Sequence, residues 1–443
     1  MLNIEIGAVN GMPPAGFAGD GLEQPPANAK SWSERVDVAV IGGGITGLSA
    51  AYHLAGAARV AVLEAHQFGS GASGRAFGQV VPYLKHGTDK LIASYGRERG
   101  ERIARDVAAG PDLVFDLIAR HGIACQAFRT GLLCGARDTT GLAGLEVKAR
   151  ECQGRGARVE MLDATATAAA IGSDLYCGAL LDKRGGHLNP LAYTRGLGRA
   201  AAEQGVLLHS GCSVDGLTRS PAGTWEIAVS GRRLVADAVV IASNAHTSGL
   251  WPGLERTIVP LRVHGAMTEP LSTDMLSRIL PFDQSLTDTR RLYSGVRKLG
   301  SRLHLTLDGP LFGTKAARPT TAQARLAELF PWLPMPTIIE QWHGWIALSP
   351  DQLPKVHELA PGLWAGLGYS GRGLAAATMI GRDIAWRVLG RSEVEMTFPL
   401  TRPRPLPSRT AAALAVASVV TAYRLLDRLD ARRASVSRQW QSL

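Results

Sequence analysis

The apolar run Val36–Ile41, interrupted only by Asp37, leads straight into Gly42-Gly43-Gly44-Ile45-Thr46-Gly47, and Glu64 follows twenty residues after Gly44. Apolar residues then recur at helical spacing through Ile45–Leu54, and Val60–Leu63 is a second apolar run. Strand, glycine turn, helix and strand make a β-α-β unit. Gly42 lets the chain leave the strand in a tight turn, Gly44 puts no side chain in the way of a pyrophosphate, and Gly47 lets the helix lie close on the strand. The helix start at Ile45 and Thr46 offers unpaired N–H groups and a positive dipole end to phosphates. Glu64, at the end of the second strand, can accept hydrogen bonds from ribose hydroxyls. The same carboxylate repels a 2′-phosphate, which disfavours NADP and leaves NAD or FAD.

A second small-residue loop, Gly69-Ser70-Gly71-Ala72-Ser73-Gly74-Arg75-Ala76-Phe77-Gly78-Gln79, follows almost at once. Small residues let backbone approach a bulky ligand, and hydroxyls and N–H groups hold phosphate. A nicotinamide site rarely needs this second loop, so it favours FAD. Taken alone, the same run also suits a flexible surface loop.

The chain has 443 residues, 46% hydrophobic and 19% charged, a globular profile and not a disordered one. Its five cysteines, Cys125, Cys134, Cys152, Cys177 and Cys212, include no CxxC pair. Neither a disulfide framework nor a metal site is expected, and a reducing cytoplasm is the simplest setting. Met1–Lys30 lacks a secretory pattern and reads as a loose extension rich in Gly, Pro and Ala. No apolar stretch reaches the roughly 20 residues that span a bilayer; the nearest, Ala411–Tyr423, has 13. Formal net charge is +10, and Thr401–Leu443 holds eight arginines against two aspartates. Such a tail suits an anionic lipid surface, nucleic acid or an acidic partner, and equally a solvated surface. No nucleic-acid partner is expected.

Asp89–Arg120 has mostly helical spacing with a break at Gly110-Pro111, Ile123–Phe128 and Gly131–Gly135 suggest a hairpin, and Leu142–Gly154 is again helical. Asn189-Pro190 signals the start of a helix over Leu191–Gln204, and Ala238–Ala242 is a buried strand. Between Ile258 and Leu348 the runs Arg262–Glu269, Arg291–Val296 and Ser301–Thr306 read as an antiparallel sheet, with a helix near Ala322–Leu329. Gly362–Gly366 is a last strand before a glycine turn and the helix Leu374–Leu389. The expected fold is α/β (α+β): a Rossmann-type FAD/NAD(P)-binding domain with an inserted antiparallel-sheet substrate domain. The expected division is a flexible extension over 1–32, an FAD-binding domain from 33–88, 156–258 and 350–400, a substrate domain from 89–155 and 259–349, and a Pro/Arg-rich linker with a C-terminal helix over 401–443.

Four stretches, Val40–Leu48, Gly71–Gln79 (GASGRAFGQ), Ala242–Trp251 with Val259–Pro270, and Gly366–Ala375 (GLGYSGRGLA), resemble the D-amino-acid oxidase-like FAD superfamily. The branch most alike is the gamma-glutamylputrescine oxidoreductase and glycine/sarcosine oxidase group. The resemblance runs from about Val36 to Arg402. It implies that Gly42, Gly44, Gly47 and Glu64 hold the ADP part of FAD, and that Ser73, Gly74, Arg75 and Gln79 line the pyrophosphate and ring. Val214 would meet adenine through its backbone, and Gly368, Tyr369, Ser370, Gly371, Arg372, Gly373 and Leu374 would surround the pyrimidine edge of the flavin. Relatives that attach flavin covalently use a cysteine at a place that falls near Gly344, so the cofactor is expected to be non-covalent. A lysine that some relatives place near the flavin to activate oxygen falls near Ala375.

The chemistry implied is oxidation of the CH–NH bond of a small amine or amino acid, with gamma-glutamylputrescine-like, N-methylglycine-like and D-amino acid substrates all open. The electron acceptor is oxygen or another acceptor. A dehydrogenase serving a quinone or partner protein, and a flavin-binding subunit with little activity alone, are the competing readings. The inserted sheet supplies substrate-site candidates: Arg262 and His264 in PLRVHG, Arg290 and Tyr293 in TRRLY, and His343 in QWHGW, joined by Tyr369 and Arg372 of the last glycine turn. An arginine can clamp a carboxylate with two hydrogen bonds, and a histidine or tyrosine can orient an amine. Each of these also suits a strand residue with a satisfied polar tip. The C-terminal helix is expected to dock on the protein's own surface, with peripheral membrane or partner contact through Arg424, Arg428, Arg432 and Arg433 as the other possibility.

Overall fold

A computed structural model describes residue 17 and residues 23–26, 32–311 and 317–441, with side chains as far as residue 430. Its first sheet is built on Arg35–Ile41, which pairs in parallel with Val60–Leu63 on one side and Arg232–Ile241 on the other. Leu207–His209 continues the sheet beyond Val60–Leu63, and Leu363–Leu367 continues it beyond Arg232–Ile241, both in parallel. Lys355–Ala360 closes one edge antiparallel. The chain therefore grows outward in opposite directions from Arg35–Ile41, so the carboxyl end of that strand is a topological switch point, where such sheets bind ligands.

The helix Ile45–Leu54 leaves this switch point with every residue but His53 buried. It is covered on all sides, which explains its uniformly small and apolar sequence. The helix Gly373–Val388 crosses it closely enough that a Cβ on Gly381 would lie 2.5 Å from the Thr46 carbonyl oxygen. Pro190–Glu203 packs on it too, and starts where Asn189 accepts hydrogen bonds from the N–H groups of Leu191 and Ala192, with proline in the first turn.

The second sheet runs Ile338–Leu348, Val259–Thr268, Arg302–Leu307, Gly295–Leu299, Ser285–Asp288, Leu132–Ala136, Gly178–Asp182 and Val159–Leu162. Neighbours are antiparallel except Ser285–Asp288 with Leu132–Ala136. Val159–Leu162 and Gly178–Asp182 lie within the range 156–258 yet hydrogen-bond into this sheet.

Several expectations need correction. Asp89–Arg120 breaks twice, into Thr88–Tyr95, Arg97–Ala108 and Gly110–His121, the first break falling at Gly96 with φ of 79°. Ile123–Phe128 forms no strand: Gln126 has φ of 45°, and only Phe128 bridges, to His187. Arg291 and Leu292 donate their backbone N–H groups to the Asp427 carboxylate instead of a strand, so the strand begins at Gly295. Of the extension expected to be loose, Phe17 is buried edge-on against His304 and Trp342, and the Glu23 carbonyl accepts from Arg199. Apart from Phe17, residues 23–26 and Trp32, that extension lies outside the described residues. The C-terminal helix spans Arg409–Gln441, and Arg409–Asp430 is long and apolar enough to cross a membrane by length and composition, contrary to the sequence reading.

Under the second sheet, Glu328 meets Arg137 at 2.7 Å and Arg325 at 2.7 Å and also pairs with Arg290, while Asp288 binds Arg325 at 2.6 Å. Burial alone would push the Glu328 carboxyl up, but Arg325, Arg290 and Arg137 hold it down at about 2. Its pKa falls on folding, so its stabilising contribution is complete above the ordinary value of 4.5 and is lost as pH drops towards about 2. Glu328→Gln should cost about 3 kcal/mol at neutral pH by leaving buried arginines uncompensated. Urea melts at falling pH should show the gap between variant and parent narrowing below about pH 4.5; a gap independent of pH would rule the ion cluster out as its source.

Candidate active site

A cavity of about 800 Å³ opens at the switch point, towards the upper end of the range for cofactor and small-molecule sites. Its wall combines the Gly42–Thr46 turn, Glu64, the Gly69–Gln79 loop, Cys212–Val214, the Tyr369–Leu374 turn and one face of the second sheet. Hydrogen bonds tie these pieces together. The Gly43 N–H donates to Glu64 Oε2 at 2.7 Å and the His66 N–H to Glu64 Oε1 at 2.9 Å, so two amides hold the carboxylate still. The Ile45 N–H donates to Ser73 Oγ at 3.0 Å, joining the two glycine loops. Tyr369 Oη and Thr46 Oγ1 share a hydrogen bond of 2.6 Å, which pins the last glycine turn to the first helix. That turn needs left-handed backbone at Gly368, Ser370 and Gly371, with φ of 80°, 51° and 84°. The serine tolerates it because its N–H donates to the Ala347 carbonyl at 3.0 Å and its Oγ accepts from the Ser349 N–H at 3.2 Å.

Gly42, Gly44, Ile45, Thr46, Glu64, Ser73, Arg75, Gln79, Val214, Ser370, Gly371, Gly373 and Leu374 all reach the cavity wall. Gly47, Gly74 and Gly368 stand behind it. A Cβ at Gly47 would lie 2.0 Å from the Gly42 carbonyl oxygen, and one at Gly74 would lie 2.1 Å from that of Gly69. These glycines shape the loops without facing the space. Gln79 ties the glycine loop to the second sheet: Tyr293 Oη donates to its Oε1, and its Nε2 donates to Ser285 Oγ at 2.9 Å.

Arg262, Tyr293, Tyr369 and Arg372 also line the cavity. Arg262 is buried with its guanidinium 5.8 Å from the Trp345 ring centre, and Arg372 lies between the rings of Tyr83 and Tyr293 at 5.1 and 5.5 Å. Burial pulls both Arg262 and Arg75 below the ordinary guanidinium value. His264 does not reach the wall, contrary to expectation. Gly309 lies flat across its imidazole, its Nε2 donates to the Pro310 carbonyl at 2.9 Å, and its Nδ1 accepts from the Ala317 N–H at 3.1 Å. Arg290 belongs to the ion cluster around Glu328, and His343 lies off the wall. Gly344, the expected counterpart of a flavin-linking cysteine, lines the cavity beside the Arg75 side chain.

The structure adds residues that the sequence did not single out. Lys85, His246 and Trp345 line the cavity, as do Ala415, Val416, Val419, Val420 and Tyr423 of the C-terminal helix. Burial, with Arg75 and His66 nearby, lowers His246 to about 4, so its ring is neutral near pH 7. Burial and the neighbouring Arg372 pull Lys85 below its usual value. His246 lies in the Ala242–Trp251 stretch that already carried family resemblance, which was the available signal.

The donor set fits a dinucleotide. Two helix starts, at Ile45 and Gly373, lie at this cavity with no capping side chain on their N-cap residues, and at the first of them Ser73 Oγ accepts from the Ile45 N–H across Gly44, which has no Cβ in the way.

Residues 37–387 match the family described as DAO, FAD dependent oxidoreductase. Gamma-glutamylputrescine oxidoreductase of Escherichia coli is 30% identical over 419 residues, covering 93% of this chain and 98% of that protein. A probable oxidoreductase OrdL of Haemophilus influenzae is 29% identical over 409 residues, covering 89% and 93%. The crystal structure of glycine oxidase from Geobacillus kaustophilus superposes with a TM-score of 0.69 at 24% identity, over 84% of this chain and 99% of that one, and shares the fold. With the family matched across most of its length, the chain belongs to the DAO family of FAD-dependent oxidoreductases.

Proposed function

We propose that the protein oxidises the CH–NH bond of an amine that carries a carboxylate, an amino acid or an N-substituted one, using non-covalent FAD. The observation that carries this reading is the charge of the cavity wall. Arg75, Lys85, Arg262 and Arg372 line it together with Arg291, which Asp427 and Asp430 hold, against Glu64 and Asp308 as its acids among the described residues. Both acids are engaged, Glu64 by two backbone amides and Asp308 by Arg424 at 2.7 Å. A bare diamine would meet repulsion there, whereas a carboxylate would meet compensation. The names of the relatives, gamma-glutamylputrescine oxidoreductase and glycine oxidase, point to the same substrate class.

FAD, when bound, supplies the acceptor for the hydride leaving the carbon next to nitrogen. The other tasks fall to the chain. Gly42, Gly44 and the helix start at Ile45 and Thr46 receive the pyrophosphate, with Ser73, which accepts the Ile45 N–H, beside it, and Glu64 takes ribose hydroxyls. Val214, beside Glu64, meets the adenine. Ser73, Arg75 and Gln79 line the ring side, with Gly74 shaping the loop. The Ser370–Leu374 turn presents the start of its helix to the ring edge, where positive dipole and Arg372 favour added negative charge. Arg262 clamps the substrate carboxylate from the second sheet, and Tyr293 orients the substrate beside Gln79. The cations on the wall disfavour the ammonium form of a bound amine and so favour the neutral form, whose lone pair the reaction needs. The thiol on this wall is Cys212, beside Val214 and Glu64 at the adenine end, which suits a non-covalent ring. All five cysteines are free thiols, which fits a reducing cytoplasm.

Anaerobic addition of carboxylated amines should bleach the flavin absorption of the purified protein, and the same amines without the carboxylate should not. Bleaching by bare diamines alone would reject the assignment. Arg262→Met should lower kcat/KM for the carboxylated substrate by about 30- to 150-fold, the loss of one charge-assisted hydrogen-bond pair, without lowering flavin content. An equal loss for a substrate lacking the carboxylate would remove Arg262 from that role. Because His246 titrates at about 4, kcat/KM should rise with pH up to the pKa of the substrate amine, with no imidazole limb between about pH 6 and 8. A limb in that interval, abolished by His246→Gln, would contradict the neutral ring.

A further inference from the structure

The helix Arg409–Gln441 has an inner face and an outer face of different character. Ala413 and Val420 are buried on the inner side, where Arg424 pairs with Asp308 and Asp427 with Arg291. On the outer side Leu414, Leu425, Leu426 and Leu429 are 40–59% exposed. At about 100° per residue these four cover an arc of about 120°, centred away from Ala413 and Val420. An apolar stripe of this extent on a soluble surface marks a contact.

We propose that this outer face is a membrane-surface contact, seated on an anionic bilayer with the helix lying in the plane of the headgroups. Charge selects the occupant. From Thr401 onward the chain carries eight arginines and two aspartates, and both aspartates, Asp427 and Asp430, pair with Arg291 on the body. What is left beside the apolar stripe is positive: Arg428 is exposed on the helix, and Arg402 and Arg404 are exposed just before it. Leucines flanked by arginines are the chemistry of a helix that lies at an anionic interface. A second copy of the chain would bring like charges together. A spanning helix would have to break the Arg424–Asp308 and Arg291–Asp427 pairs and carry those charges into hydrocarbon. The same helix forms part of the cavity wall through Ala415, Val416, Val419, Val420 and Tyr423, so the contact stripe borders the residues that line the cavity.

The test is sedimentation of the full-length, FAD-loaded protein with vesicles of phosphatidylcholine alone and of phosphatidylcholine with roughly one third phosphatidylglycerol. Binding to the mixed vesicles, weakened by salt, with little binding to phosphatidylcholine, is the expected result. Leu425→Glu with Leu429→Glu should lower that partition at least about 10-fold while the flavin spectrum and amine turnover are retained. Should the double variant fail to fold, Arg428→Glu reads the electrostatic part alone and should reduce binding and its salt dependence. Absence of binding to either vesicle overturns the proposal. So does a dimer in light scattering that Leu425→Glu dissociates, or a protein that stays in cell membranes through alkaline extraction. The outcome is independent of the substrate, because vesicle binding needs no turnover.

Discussion

The contact on which the structure depends is backbone against backbone at the start of the first helix. A Cβ on Gly47 would collide with the Gly42 carbonyl oxygen, and one on Gly381 with that of Thr46. With hydrogen atoms in those places, the Ile45–Leu54 helix lies between the central strand and the Gly373–Val388 helix, and its N-terminal turn comes to rest at the end of the strand. The two helix starts then face one space, and a dinucleotide-sized cavity follows from the packing. Substitution at either glycine would move the phosphate-facing amides before it touched any side chain.

That arrangement positions only half of the site. The other half comes from the second sheet, and the two meet where Gln79 is held by Tyr293 and Ser285 and where Trp342 donates to the Arg75 carbonyl at 3.1 Å. Arg297, fully buried, donates to the Phe77 carbonyl and so braces the same loop from behind. The Gly69–Gln79 loop is therefore supported by strands far away in sequence, and the second sheet cannot shift without moving it. The Tyr369–Thr46 hydrogen bond plays the matching role on the opposite side.

This division explains what could be read from the sequence. The glycine turns and their acid were legible because each glycine meets a local demand: a turn, a close approach or a helix start. Wall residues contributed by packing across the sheets were not. Lys85, His246 and Trp345 have no spacing that distinguishes them from ordinary loop and strand residues. Arg262 and His264 look alike in sequence, two apart on one strand and therefore on one face, yet only Arg262 reaches the cavity, because Gly309 comes down on His264. The C-terminal helix was legible as a helix, but its anchors, Asp308 and Arg291, lie over a hundred residues away. The hairpin expected at Ile123–Gly135 failed for a local reason, the left-handed Gln126.

Electrostatics then joins the parts. A wall rich in arginine and lysine, with its two acids already engaged, carries a net positive charge that an entering anion would offset. The phosphates of a bound dinucleotide would offset one part of that charge, and under the proposed function a substrate carboxylate would offset another. The histidine on this wall that burial has stripped of its proton, His246, adds no further cation and accepts none near neutral pH. Under the proposed function, positive charge on the wall that the cofactor leaves uncompensated would disfavour protonation of the substrate nitrogen and keep its lone pair available.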